Sequence, residues 1–451
     1  MIDAYLLFLS NKGLFDTSAD KIYQAVNKLS TKKLVDLIFD SEEFLSLPEP
    51  KVASPYDFYV NGSMAGGRSP CSDMACRSSR LHETAAFAAL YADCVWIPSP
   101  IGSVANLHSS DLDFLRGELL AAILFLTQLR PLLQEGIIRL APRRAAHYCV
   151  NCYSAAVNMS PKSYLRRFKE SEEFLAKILN EKVKYEAYKS KGHYTVTAVG
   201  SELENFLGEG HFAHYIFPPK GEDDWASLGL KKTPRSLSVS EVKEMGVAKL
   251  YASGVLFDVF HQNVFASQYG ASYLTSRPID LMLINRVNPV KSKVVNKRVT
   301  QGLSHNVPVG TDLQLSEVLR LRESERGHFL QYRSAVSKAI DEAKASTLNN
   351  TKEIFFDIIQ PEITRLDLLM SEARRTSKNN LIKDLVAPSA FLGLGLFSGI
   401  VSPTIAAVAT AVGGLHFADK LAGHAKDLVT TPKEVRQEKF YWLWKVNKVA
   451  K

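Results

Sequence analysis

Cysteine is scarce in this chain: Cys71, Cys76, Cys94, Cys149 and Cys152 are the five among 451 residues. An odd number at so low a density excludes a small disulfide-stapled secreted fold and points to a reducing, cytoplasmic setting. A basic leader is missing as well. The opening MIDAYLLFLSNKG has an apolar patch, but Asp3 precedes it and no small-residue cleavage site follows, so it reads as part of the fold. No internal repeat and no low-complexity tract is present. Three catalytic signatures are absent too: a GxSxG elbow, an HExxH helix and a GxGxxG opening a βαβ unit. Their absence leaves no ready site on which to name a reaction, and whether the chain is an enzyme stays open.

What is present is the composition of folded protein, 46% hydrophobic and 23% charged, in a chain long enough for two or three cores. Residues 1–50 form a helical lead-in, with Ile22, Val26, Leu29, Leu34, Leu37 and Ile38 at helical spacing before the Pro48-Glu49-Pro50 breaker. Over 51–290, short apolar runs (Tyr56 to Val60, Cys94 to Pro98, Ile137 to Ala141) alternate with helix-compatible stretches (Leu81 to Tyr91, Phe114 to Leu133), which predicts an α/β or α+β region with short strands. Period-two alternation on both sides of Ser190-Lys191-Gly192 predicts a β-hairpin near 182–200. A long buried helix is expected within Val242 to Tyr269, and YLTSRPIDLMLIN gives a further short strand candidate.

Residues 291–310, basic and rich in Val, Asn and Pro, mark a linker. From 311 to 451 the pattern becomes all-α. Phe329, Tyr332, Val336 and Ile340 recur at helical spacing, and a second helix, Ile354 to Arg375, carries Pro361 as a kink.

Within that region Leu385 to Ala418 lacks a single formal charge, which exceeds the length of a membrane-spanning candidate. Its fourteen Leu, Ile, Val and Phe side chains favour insertion by roughly −6 kcal/mol before its polar residues are counted. Pro403 divides the stretch, which predicts an apolar helical hairpin over 385–418. The tail, 420–451, is basic and aromatic. The expected membrane contacts are Phe391, Leu396, Phe397, Ile400, Ile405, Trp442 and Trp444, facing an anionic surface such as an inner membrane. A helix pair at the centre of a soluble bundle, with the tail docked on it, carries the same pattern.

Three clusters carry candidate chemistry. After the Tyr56 to Val60 strand comes NGSMAGGRS, in which Gly62, four residues, Gly67, Arg68 and Ser69 mimic a phosphate-binding P-loop with arginine in place of lysine. A looser reading makes this glycine-rich backbone, with Arg68, Arg77 and Arg80, an anion site; the plain alternative is a surface loop. Cys149 and Cys152 have the spacing at which two thiolates share a tetrahedral zinc, with Cys71 and Cys76 as the second pair; the alternative is buried, unliganded thiols. His211 and His214 fall in a segment that otherwise reads as packing. Asp111, Asp113 and Glu118 form a carboxylate cluster of the kind that holds magnesium, or one that belongs to a helix start with Ser109 or Ser110 as its N-cap.

Three function classes follow. One is a membrane-associating effector or toxin-like protein, suited to bacterial or antiviral defence, with a soluble sensing region coupled to the apolar hairpin. Another is a soluble nucleotide- or nucleic-acid-binding enzyme whose apolar stretch is core. The third is a non-enzymatic interaction module. The implied partners are an anionic membrane surface, a small anionic ligand or another protein, and a second copy of the chain; the implied cofactor is a structural zinc.

Overall fold

The structure is a computed structural model that describes residues 2–45, 54, 56–60, 62–68, 72–104, 107, 111–142, 150–156, 159–190, 193–200, 203, 211–216, 222–275, 277, 279–280, 283, 315–342, 361, 364–365, 438 and 441–449. They fall into two compact units, Met1–Thr300 and Gln301–Lys451. The first mixes helices with short strands in one parallel and one antiparallel sheet, and helices dominate overall.

Three helices open the first unit: α1 (Ile2–Asn11), α2 (Ala19–Asn27) and α3 (Thr31–Glu42). Ile22, Val26, Leu34, Leu37 and Ile38 are buried, as their spacing predicts. The parallel sheet follows as β1 (Asp57–Val60), β2 (Cys94–Pro98) and β3 (Ile138–Ala141), joined through α4 (Met74–Leu90) and then α5 (Pro100–Val104) and α6 (Leu112–Gln134). After β3 come α7 (Val150–Ala156) and α8 (Pro161–Lys182).

The hairpin is β4 (Lys184–Ser190) and β5 (His193–Val199), and its register closes at Ser190 opposite His193. Then come β6 (His211–Ile216), α9 (Glu222–Ser227), β7 (Arg235–Ser236), α10 (Val239–Glu244), α11 (Val247–Gln268) and β8 (Ser272–Leu274). The antiparallel sheet has the order β6-β5-β4-β7. His211 and His214 therefore lie in a strand.

The parallel sheet has the order β3-β2-β1-β8, with Tyr59 beside Trp96 on one flank and Val60 beside Leu274 on the other. Both faces are covered, which explains why its strands read as continuous apolar runs. Phe58 meets Phe87 of α4 at 5.3 Å between ring centroids, while the next residue, Tyr59, meets Tyr269, just beyond α11, at 5.4 Å. Alternate residues of one strand thus serve opposite layers. Helix α4 packs on α6 on the first face, and α11 packs on α8, β1 and β8 on the other. The chain changes face between β3 and β8, so β1 and β8 flank the point where the strand order reverses.

The second unit contains α12 (Leu315–Ser324), α13 (Arg326–Glu342) and α14 (Tyr441–Val449). Trp442 packs on Phe329 at 5.4 Å and is fully buried, and Lys445 donates to Glu325 at 2.7 Å.

The expected transmembrane helix is corrected by this architecture. Among the described residues no helix is long and apolar enough to cross a membrane. The longest of them, α6, turns Leu119, Leu126, Leu129 and Leu133 into a protein core and leaves charged residues elsewhere along its length. The 385–418 segment, with Phe391, Leu396, Phe397, Ile400 and Ile405, lies outside the described residues. Trp442 and Trp444 are both buried among side chains of the helical unit, as in a tail docked on a bundle.

Candidate functional site

The carboxyl ends of β1, β2, β3 and β8 share one edge of the sheet because all four strands are parallel. In open sheets of this kind ligands bind outside that edge, where the strand order reverses. The segment at this position on β1 is the glycine loop, Gly62 to Gly67. On β8 it is the segment from Thr275 to Asp280. The register of Val60 with Leu274 sets the two segments side by side.

The loop closes on itself. The Gly67 amide donates to the Gly62 carbonyl at 2.7 Å, and the Gly66 amide donates to the Ser63 carbonyl at 3.1 Å. Two glycines are required here. A Cβ on Gly67 would stand 2.4 Å from the Gly62 oxygen, and one on Gly66, at φ +80°, would stand 2.8 Å from the Phe125 ring.

One face of α4 holds the loop from below. Arg77, Arg80 and Thr84 lie three, then four residues apart, so they share that face. Arg77 Nε donates to the Gly66 carbonyl at 2.8 Å; Arg80 donates to the carbonyls of Ser63 at 3.3 Å and Gly67 at 3.0 Å; Thr84 Oγ1 donates to that of Met64 at 2.8 Å. Arg68 completes the group from the loop's far end. Its Nη1 lies 2.6 Å from Glu118 of α6, and its guanidinium covers the Phe114 ring at 4.6 Å. Arg77 Nη1 reaches the same carboxylate at 3.0 Å. Burial pushes the Arg77 guanidinium below its ordinary value; Glu118 opposes this and the charges of Arg68 and Arg80 add to it.

The three arginines expected at an anion site are therefore assembled around one loop, and the two on α4 serve as its scaffold. The P-loop likeness is corrected. In a P-loop the glycine segment runs straight into a helix whose first amides hold phosphate. Here α4 begins at Met74, and Asp73 caps it by accepting from the amides of Ala75 and Cys76 at 2.9 and 3.2 Å. A carboxylate already occupies that helix terminus.

The β8 side is a compact polar knot. Thr275, Arg277 and Asp280 are all fully buried. Asp280 Oδ2 accepts from Thr275 Oγ1 at 2.6 Å, from Arg277 Nη2 at 2.9 Å and Nε at 3.1 Å, and from Tyr273 at 3.3 Å. Sequence reasoning read this stretch as a strand and passed over its charges; the Arg-Pro-Ile-Asp spacing, which sets the pair three residues apart, was the available signal.

The carboxylate cluster separates in the structure. Asp111 is itself the N-cap of α6, accepting from the amides of Asp113 and Phe114, in place of the expected Ser109 or Ser110, which lie outside the described residues. Asp113 pairs with Arg116, and Glu118 belongs to the arginine group. Of the four proposed zinc ligands, Cys76 is half-buried on α4, Cys152 lies in α7, and Cys71 and Cys149 fall outside the described residues. Among the described residues no three His, Cys, Asp or Glu side chains are grouped as a metal site. No family model, curated protein or solved structure matches the chain.

Proposed function

We propose that the first unit is a recognition domain for a small anionic ligand of the nucleotide class, bound in the crevice between the carboxyl ends of β1 and β8. The observation that carries this reading is the reversal of strand order between those two strands, with a glycine loop on one and a buried Arg-Asp knot on the other. Three guanidinium groups gathered at the loop, two of them sharing Glu118, supply the positive field that an anion needs. The mode differs from a P-loop because Asp73 caps α4. Ligand contacts in this reading come from the loop and its arginines and owe nothing to a helix terminus.

The helical second unit is the output half of this arrangement. The division of the chain into two compact units supports a sensor coupled to a separate acting part. This is a binding function and assigns no turnover.

A thermal-shift panel on the full chain tests it, using nucleoside mono-, di- and triphosphates, cyclic nucleotides and dinucleotides. A ligand present at a hundred times its dissociation constant adds about 2.7 kcal/mol, which raises Tm by roughly 5 °C in a unit of this size. The expected result is such a rise for at least one class. Flat curves across the whole panel would reject the reading.

A further inference from the structure

The three arginines at the glycine loop are not equivalent. Arg77 and Arg80 reach up from α4 and bond loop carbonyls, so moving either one would strip buried oxygens of their donors. The contacts of Arg68 are instead to side chains: an ion pair with Glu118 and a ring contact with Phe114. It follows Gly67 directly, at the open end of the loop, and its side chain is 18% exposed against 7% for Arg77.

We infer that Arg68 is the ligand-contacting cation of this site and that Glu118 is its resting partner, the guanidinium passing from that carboxylate to a phosphate-type oxygen when the ligand arrives. The inference rests on the recognition function proposed above and names the residue and the exchange that perform it. Glu118 makes the exchange cheap. Its carboxylate also holds Arg77 Nη1 at 3.0 Å, so it keeps a cation when Arg68 leaves. The charges acting on Arg77 favour the exchange as well: Arg68 and Arg80 oppose its protonated form, and an incoming anion beside Arg68 relieves that repulsion. An arginine fork suits the task, since two parallel N–H donors match two phosphate oxygens, which a lysine does not reproduce.

The ligand chemistry is thus a compact, multiply charged oxyanion group, whether it belongs to a nucleotide or to a free polyphosphate. Isothermal titration of the full chain with ATP, and separately with inorganic tripolyphosphate, distinguishes the two sources. The variants are Arg68→Gln and Arg68→Lys, with Arg166→Gln on the exposed face of α8 as a control for general charge.

The expected result is binding to the wild type, weakened about tenfold to a hundredfold by Arg68→Gln. Arg68→Lys should recover part of the loss, and Arg166→Gln should leave binding unchanged. The melting temperature of ligand-free Arg68→Gln should stay close to wild type, because Glu118 retains Arg77. Wild type and Arg68→Gln binding a probe equally would overturn the inference while leaving the recognition function standing. A ligand-free Arg68→Gln that is strongly destabilised would overturn it too, by making Arg68 structural. Failure of the wild type to bind either probe would overturn this inference, and the recognition function would then stand or fall on the wider nucleotide panel.

Discussion

Arg77 and Gly66 are joined by a 2.8 Å hydrogen bond from a buried guanidinium Nε to a loop carbonyl, so a helix side chain supplies the donor for that carbonyl. The same guanidinium reaches Glu118, and the loop, α4 and α6 are tied at one point. Removing the arginine leaves a buried carbonyl without its donor and a half-neutralised carboxylate. Arg77→Ala is expected to destabilise the first unit by about 3 kcal/mol, and Arg77→Lys, which lacks the fork, should recover less than half. Urea unfolding of both variants checks this.

The glycines of the loop separate steric need from conformational freedom. Gly67→Ala places a Cβ 2.4 Å from the Gly62 oxygen, a backbone atom that has nowhere to go, and is expected to cost about 2 to 4 kcal/mol. Gly117 provides the opposite case. It lies inside α6, an added Cβ meets nothing within 4 Å, and its backbone is helical, so Gly117→Ala should stabilise by about 0.5 to 1 kcal/mol. Thermal unfolding of the pair should move Tm in opposite directions.

How much of this architecture was legible depended on whether its cause was local. The runs Tyr56 to Val60, Cys94 to Pro98 and Ile137 to Ala141 announced themselves because a strand covered on both faces is largely apolar, with Asp57 and Arg139 as the charged exceptions, and the β4–β5 hairpin because of its period-two alternation. The neighbour of β1 was not legible. Leu274 pairs beside Val60 across more than two hundred residues, and nothing near either residue encodes that register. The arginine group was seen as charge near glycine, yet its purpose came from Glu118 on another helix. The transmembrane-helix expectation is a different case: an apolar stretch records a need to avoid water and does not say what covers it, as the protein-buried leucines of α6 illustrate.

The β8 knot predicts a large asymmetry between one substitution and two. Asp280→Asn leaves the fully buried Arg277 charge poorly compensated and should cost about 3 to 5 kcal/mol. Replacing Arg277 and Asp280 together by Met and Leu removes both charges and should cost less than the single change. A double-mutant cycle by chemical denaturation measures the difference.

Acid stability should carry a signature of α10. The Arg235 guanidinium and the Ser238 amide, by donating to Glu241, hold its carboxyl at about 2, well below its ordinary 4.5. A folded-state value below the unfolded one means that this contribution is present above about pH 4.5 and is lost as pH falls toward 2. The pair is largely open to solvent, so the amplitude is small. Glu241→Gln should flatten the fall in Tm across that window, and should lower Tm slightly at pH 7, where it weakens the capping box.

Hydrogen–deuterium exchange of the full chain, with and without saturating ATP, tests the recognition claim at its location. Slowed exchange concentrated in 62–68 and the 275–280 segment, the two sides of the switch point, is the predicted result. ATP-dependent protection that leaves both segments unchanged and falls elsewhere in the chain would contradict the account.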